Sequence, residues 1–242
     1  MYGLKTSDLP LSAWEEESRN DISSVIAADN FPCIFAGKAN QRRTISWLFC
    51  DSAHNNRSIF LEGVVKYTSF IKATQAQDRI LCPLIVVIKQ EKTTLKEQHK
   101  LAWSYIQYLI DNDTEQWLSD IPLDPNNHKW CLCFNGVQLF VNISASEHKV
   151  LKSRNLGKNT CLVINPREIF DYVAPLSRPK GVKIRDKIRQ RVVDYNNENY
   201  PKELGFFGDK NNLEWKQYQL SEEGALVNVI CPLKLASKVV DK

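Results

Sequence analysis

Apolar residues recur along this chain with two different periods, and together they predict a mixture of helices and strands. The clearest helix spans residues 94–112, where apolar side chains recur at spacings of three and four. A short run of β-branched residues predicts a buried strand at 83–89, and a second strand is predicted at 43–50. The elements do not follow a regular alternation of strand, helix and strand. This pattern favours an α+β fold.

The stretch from Trp130 to Phe170 carries the densest pattern in the chain. Two apolar runs within 130–143 meet at Asn135-Gly136, the dipeptide that most readily adopts the positive φ angles of a tight hairpin turn. A polar cluster follows directly after the second run, and it contains Glu147, His148, Ser153, Arg154 and Asn155. Because a hairpin is a rigid support, we expect functional side chains just beyond its end.

Local signals predict the remaining elements. Ser12 and Glu15 have the spacing of a capping box, which predicts an N-terminal helix over about 12–30. The other predicted elements are a short helix at 68–79, a strand at 160–164, a helix that opens at Pro166-Arg167-Glu168, a helix at 181–197, and short strands within 214–232. We therefore predict a single domain over 1–242, with a central, mainly antiparallel sheet flanked by helices.

Composition limits the classes of protein to consider. The net charge of +4 comes from 32 basic and 28 acidic residues, and no block of like charge indicates a nucleic-acid partner. The longest apolar run, at 84–88, is too short for a membrane span, and the N-terminal segment lacks the pattern of a signal peptide. We expect a cytoplasmic protein whose seven cysteines are free thiols. Four histidines and the absence of a CxxC argue against structural zinc.

Common catalytic motifs are missing, including the dinucleotide fingerprint, the P-loop and the nucleophile elbow. A hydrolase triad can be assembled on paper from Ser153, His148 and an acid, but nothing in the sequence gives its geometry. His148 is either a capping histidine in a loop or a single axial ligand, which suffices for haem because the porphyrin supplies the other nitrogens. Cys33 is either a small buried residue or a thiolate ligand. For haem propionates, the cationic candidates are Arg154, Arg167 and Arg185.

Many short segments resemble, in the same order, the YqcI/YcgG family of bacterial proteins over about residues 30–233. The matching segments include Phe31-Pro32-Cys33, Trp130-x-x-x-Phe134-Asn135-Gly136, His148 with Ser153-Arg154-Asn155-x-Gly157, Pro166-Arg167, Glu214-Trp215 and Cys231-Pro232. The family includes haem-dependent N-oxygenases that act on guanidine and amine substrates. The resemblance therefore implies b-type haem, with His148 as the axial metal ligand.

The resemblance also implies roles for other positions. Arg154, Asn155, Arg167, Arg185 and Cys33 are the candidates for contacting the cofactor. A cationic substrate would need a carboxylate, for which the candidates are Glu147, Glu168, Asp171 and Glu214, with Glu147 and Glu214 as the catalytic candidates.

The expected activity is hydroxylation of a nitrogen in a small amine or arginine-like metabolite, with dioxygen or peroxide as the oxidant. The alternative is a non-enzymatic haem-binding or stress-related protein of the same fold. No nucleic acid or membrane is expected as a partner, and a homodimer is left open.

Overall fold

The computed structural model describes residues 10–52 and 57–235, which contain seven α-helices and five β-strands. The helices are α1 (Ala13–Ala27), α2 (Ile34–Arg42), α3 (Arg57–Ala73), α4 (Leu95–Asp111), α5 (Glu168–Val173), α6 (Pro179–Tyr195) and α7 (Glu214–Tyr218). The strands are β1 (Ser46–Asp51), β2 (Leu84–Lys89), β3 (Leu132–Phe134), β4 (Val137–Ser144) and β5 (Thr160–Pro166). Short 3₁₀ turns lie at Ala76–Asp78 and Lys152–Arg154.

The five strands form one mixed sheet in the order β1-β2-β5-β4-β3. Only β1 and β2 pair in parallel, and the other three pairs are antiparallel. The α+β class with a mainly antiparallel sheet, expected from the sequence, is confirmed.

One face of the sheet carries the larger core. Strand residues such as Val86 and Leu162 point to this face, where they meet α3 and α4. The apolar stripe of α4 is buried here, as its spacing of three and four predicts, and His99 is buried with it. Since burial of apolar surface is the main favourable term in folding, this layer anchors the sheet.

The opposite face is covered only in part. Its alternate strand residues, including Ile85, Val87 and Cys161, pack against Ile22 and Ile26 of α1. Farther along this face, over β5 and β4, α6 crosses the sheet with Gly181 as its only fully buried residue. A space therefore remains between α6 and the sheet.

Several local predictions are confirmed. Ser12 and Glu15 form the predicted capping box at the start of α1. Asn135 and Gly136 have φ angles of 50° and 68°, as a tight hairpin turn between β3 and β4 requires. In residues 10–52 and 57–235, no helix combines the length and the apolar character needed to cross a membrane.

Other local predictions are wrong. The helix predicted at 68–79 lies at Arg57–Ala73, and the short strands predicted within 214–232 are replaced by α7 and irregular chain. The helix predicted to open at Pro166-Arg167-Glu168 is present as α5, but it begins at Glu168. Pro166 ends β5 instead, a place that suits it because proline has no N–H to donate to a neighbouring strand. Helix α2 was not predicted.

Candidate functional site

A cavity of about 340 Å³ occupies the space between α6 and the sheet, a volume within the range of small-molecule and cofactor sites. Its floor is formed by the face of β2, β5 and β4 that points away from α3 and α4. The floor residues are Ile85, Phe140, Asn142, Ser144, Val163 and Asn165. Its walls come from the start of α2, from α5 and α6, and from the 3₁₀ turn at Lys152–Arg154.

Helix α6 supplies the wall opposite the sheet. Ile188 and Val192 line the cavity at a spacing of four, so they lie on one side of the helix. Arg185 and Arg189, also four residues apart, line it as well. The helix therefore presents an apolar stripe with a cationic edge to the cavity.

Cys33 lines the cavity at the point where α2 begins. Its sulfur accepts the backbone N–H of Ala36 at 3.4 Å. Burial raises the pKa of the thiol, and N–H donors from Ala36 and Phe35 oppose that rise. Arg191 of α6 donates to the carbonyl oxygens of Asp29, Phe31 and Pro32, at 2.7, 2.6 and 3.2 Å. These bonds fix the segment before Cys33 against α6.

Arg154 and Ser153 line another part of the cavity. The Arg154 side chain is buried, and its Nη atoms donate to the carbonyl oxygens of Gln217 and Tyr218 at 2.8 and 3.3 Å. Burial lowers the pKa of Arg154 to about 9, and the charge of Glu203 opposes that shift. The Oγ atom of Ser153 is buried without a hydrogen-bond partner.

Two further arginines lie on the α6 side of the cavity. Arg185 donates to the Ala174 carbonyl at 2.6 Å and to Asp171 at 2.9 Å. Arg189 lies over the ring of Phe206, with its guanidinium carbon 3.6 Å from the ring centroid. Arg185 was predicted as a cofactor contact and Arg189 was not.

Arg167, another predicted cofactor contact, is directed elsewhere. Its Nε lies 3.0 Å from a carboxylate oxygen of Glu214, and its guanidinium lies 3.9 Å from the ring centroid of Phe207. Burial raises the pKa of Glu214 to about 7, against the attraction of Arg167 and a hydrogen bond donated by the Tyr218 hydroxyl at 3.0 Å. Neither Arg167 nor Glu214 lines the cavity. They form a buried ion pair beside it.

His148, the predicted metal ligand, does not line the cavity either. Its side chain is fully buried, with Nδ1 2.8 Å from Glu222 and Nε2 3.2 Å from Nε2 of His99 on α4. Glu222 also accepts backbone N–H groups from residues 149–151. Both ring nitrogens of His148 are thus engaged with protein groups on the side of the sheet that faces α4.

The remaining candidates hold the loop after β4. Asn155 donates to the carbonyl oxygens of Ser146 and His148, at 2.8 and 3.2 Å, and accepts the N–H of Gly157. The backbone N–H of Glu147 donates to the side chain of Gln98. Neither Asn155 nor Glu147 lines the cavity. Of the predicted site residues, the structure therefore brings Cys33, Arg154 and Arg185 together.

Three polar floor residues were missed by sequence reasoning. Asn142 and Ser144 alternate with apolar neighbours on β4, and Asn165 occupies the same face of β5. The sequence of β4 did contain a signal for these residues, since alternation along a strand places Phe140, Asn142 and Ser144 on one face. Within the described residues, the lining contains three arginines and no aspartate, glutamate or histidine. The cavity is apolar and cationic.

Among residues 10–52 and 57–235, no three or more histidine, cysteine, aspartate or glutamate side chains are arranged to hold a metal ion. The fold and the site define an α+β protein with a partly open, largely apolar cavity whose lining includes three arginines. The model of the YqcI/YcgG family matches residues 22–234, and the chain belongs to that family.

Three relatives align over nearly the whole chain. The protein named "Putative N(omega)-hydroxy-L-arginine synthase DcsA" from Streptomyces lavendulae is 32% identical over 228 residues, covering 92% of this chain and 84% of its own length. The Bacillus subtilis (strain 168) proteins YqcI and YcgG are 33% and 27% identical, with 92% and 89% of this chain covered and 88% and 85% of their own lengths. No solved structure matches the chain significantly.

Proposed function

We propose that this protein is a haem-dependent oxygenase that hydroxylates a nitrogen of a small amine or guanidine metabolite, arginine-like in structure. The observation that carries the proposal is the largely apolar cavity with the Cys33 thiol at one wall and arginines at its α6 edge. Similarity to a relative named for N-hydroxy-L-arginine synthesis supports the class of reaction.

The cavity residues fit haem b. The apolar residues of α6 and of the sheet would hold the porphyrin, and Arg185 and Arg189 would pair with its propionates. Cys33 is the side chain at the cavity wall that can ligate iron, since cysteine thiolate is one of the known axial ligands of haem. The N–H groups that face its sulfur stabilise a thiolate, and a bound metal cation deprotonates a coordinating thiol.

We propose that Cys33, in preference to His148, would hold the haem iron. Cys33 lines the cavity, whereas His148 would have to give up its hydrogen bonds to Glu222 and His99 before it reached a ligand. Breaking these bonds would leave buried polar groups unpaired, which costs about 1–3 kcal/mol for each group. The position of His148 suits a structural role.

The bound haem would supply oxygen activation, which a thiolate ligand promotes by pushing electron density toward O–O cleavage. The chain supplies the surroundings. The apolar walls exclude water, and the polar floor of Asn142, Ser144 and Asn165 offers neutral hydrogen-bonding groups that can orient a substrate nitrogen. Since these three residues stand on paired strands, their positions are fixed by the sheet register.

The test is to load the purified protein with haem and supply L-arginine, L-lysine and related amines with a reductant and oxygen, or with peroxide. Mass spectrometry should detect a product about 16 mass units heavier than its substrate. Haem-free protein is the control. Product formation that persists without haem would refute the proposal, as would a fully haem-loaded protein that oxidises none of these compounds.

A second function, haem binding without turnover, is favoured by one observation. In the part of the chain that the structure describes, the cavity lining offers no carboxylate or imidazole to transfer a proton or to pair with a guanidinium. The predicted acids Glu147, Glu168, Asp171 and Glu214 all lie outside the lining. Stable haem loading without product would support this alternative.

A further inference from the structure

We infer that Arg154 and Ser153 form a carboxylate-binding subsite inside the cavity, and that this subsite selects amino acids over the corresponding decarboxylated amines. The inference rests on the proposed function, since it names the part of the substrate that the cavity recognises. It concerns binding, however, and is tested by a measurement separate from turnover.

The first observation is the charge of Arg154. Its side chain is buried, yet no salt bridge joins it to a carboxylate in residues 10–52 and 57–235. Two backbone carbonyls accept from its Nη atoms, although a guanidinium carries five N–H donors. Buried charges are normally paired. The charge of Glu203 acts on Arg154 only from beyond salt-bridge distance, so a buried guanidinium of a residue that lines the cavity is suited to an anionic ligand.

The second observation is the hydroxyl of Ser153. Its Oγ atom is buried without a partner, and the carboxamide nitrogen of Asn196, next to it, is also unpartnered. Buried polar atoms in proteins are nearly always hydrogen-bonded, so an unpaired hydroxyl at a cavity wall calls for an explanation. A ligand oxygen that accepts from Ser153 and Arg154 together would satisfy it.

The subsite is held rigidly. The carbonyl of Arg154 accepts the N–H of Ala145 at the end of β4, at 2.8 Å, and the N–H of Ser153 donates to Asn196 at 2.9 Å. The guanidinium is itself fixed by the carbonyls of Gln217 and Tyr218. A ligand would therefore meet a preformed arrangement and would not have to order it.

The position of the subsite separates it from the arginines assigned to the haem propionates. Ser153 is bonded to Asn196, which directly follows α6, whereas Arg189 lies seven residues earlier, a rise of about 10 Å along the helix axis. Arg185 lies four residues before Arg189, about one helical turn farther, and is paired with Asp171. One cavity therefore has two cationic regions, and Arg154 is the more deeply buried.

The chemistry recognised is a carboxylate, which an amino-acid substrate or a haem propionate can supply. Removing the substrate carboxylate should weaken binding about 10- to 100-fold, the usual effect of losing a charge-assisted hydrogen bond. L-Arginine with agmatine, and L-lysine with cadaverine, are matched pairs that differ only in this group.

The experiment measures binding of these four compounds to the haem-loaded protein by calorimetry. The variant is Ser153→Ala, which removes an unpaired hydroxyl without breaking a hydrogen bond of the folded chain. The control is Ser24→Ala on α1, whose hydroxyl donates to the Asn20 carbonyl away from the cavity. The expected result is that Ser153→Ala reduces the preference for the amino acid several-fold, and that Ser24→Ala leaves it unchanged.

Two results would overturn the inference. In the first, neither amino acid binds the wild-type protein more tightly than its decarboxylated partner. In the second, Ser153→Ala accelerates haem dissociation while the preference stays unchanged, which would assign the subsite to a propionate. A clear preference for the amino acid without N-hydroxylation would refute the proposed reaction and leave the subsite standing.

Discussion

The Nε2 atoms of His99 and His148 lie 3.2 Å apart in a buried chain that admits one arrangement of protons. His99 Nδ1 accepts the N–H of Leu226 at 3.3 Å, so the ring proton of His99 is on Nε2 and is donated to His148. The remaining proton of His148 is then on Nδ1, where it is donated to Glu222. Both imidazoles are neutral in this arrangement, and an added proton would remove one hydrogen bond.

We expect this pair to make stability depend on pH. Burial lowers the pKa of both histidines, that of His99 to about 3. Below about pH 6.5 these histidines take up protons in the unfolded chain but stay neutral in the folded chain. The free energy of unfolding therefore falls as the pH is lowered. His99 alone should account for about 1.4 kcal/mol of loss between pH 7.5 and 5.5, measured by urea denaturation.

The variant His99→Gln should flatten this pH dependence, because it removes a titrating group from the chain. His128→Gln, in the loop before β3, is the control and should keep the wild-type slope. A wild-type free energy of unfolding that stays constant across this pH range would show that the histidine pair is not held neutral.

The axial ligand can be identified by spectroscopy. We expect Cys33→Ser to change the Soret band of the haem-loaded protein and to lower haem affinity by at least about tenfold, because the ligand is lost. His148→Gln should leave the Soret band in place. Cys231→Ser, which alters a free cysteine outside the cavity lining, is the matched control. A Soret band that shifts in His148→Gln and not in Cys33→Ser would instead identify His148 as the ligand.

We expect replacement of Arg167 to lower the stability of the protein without a specific effect on ligand binding. Arg167→Leu leaves the buried carboxyl of Glu214 without its cation. Because the pKa of that carboxyl is already raised to about 7, the carboxyl can take up a proton, and the haem-free protein should lose about 1–3 kcal/mol in unfolding free energy. Replacing Arg19, whose pairing with Glu16 is solvent-exposed, should cost less than about 1 kcal/mol. Denaturant titration compares the two, and equal effects would contradict the assignment of a buried pair.

Replacing each of two helical glycines with alanine should change the stability of the protein in opposite directions. A Cβ at Gly63 of α3 would lie 2.5 Å from a methyl carbon of the buried Leu48, so Gly63→Ala should destabilise the protein by about 1–3 kcal/mol. At Gly37 of α2 the nearest atom is 3.8 Å away, and Gly37→Ala should stabilise by about 0.5–1 kcal/mol. Thermal or denaturant unfolding measures both, and changes of the same sign would refute this contrast.

The sequence predicted those elements whose information is local. Helix α4 and the Asn135-Gly136 hairpin follow from side-chain spacing and turn chemistry. Helix α3 was placed too far along the chain, because Gly63 weakens its helical pattern, although it allows close approach to Leu48. Helix α7 has only five residues, and so short a segment holds too few periods to distinguish a helix from a strand.

The candidate site depended on information that is not local. His148 and Arg154 belong to one polar cluster, yet one contacts His99 and the other lines the cavity. Nearness along the chain does not decide which side of the sheet a loop residue faces. Cys33, Arg154 and Arg189 line one cavity only because three segments distant in the sequence converge around it. The resemblance to the family led to the expectation of haem, but only tertiary contacts decide which of the candidate residues line the cavity.

Glu222 organises a loop more than seventy positions earlier in the chain, where it accepts the N–H groups of residues 149–151. Arg154 depends in the same way on the carbonyls of Gln217 and Tyr218. During synthesis, the sheet can therefore assemble before this loop reaches its final form. The cavity lining, which includes Gln217 and Leu220, is therefore complete only after this later segment has folded against the loop.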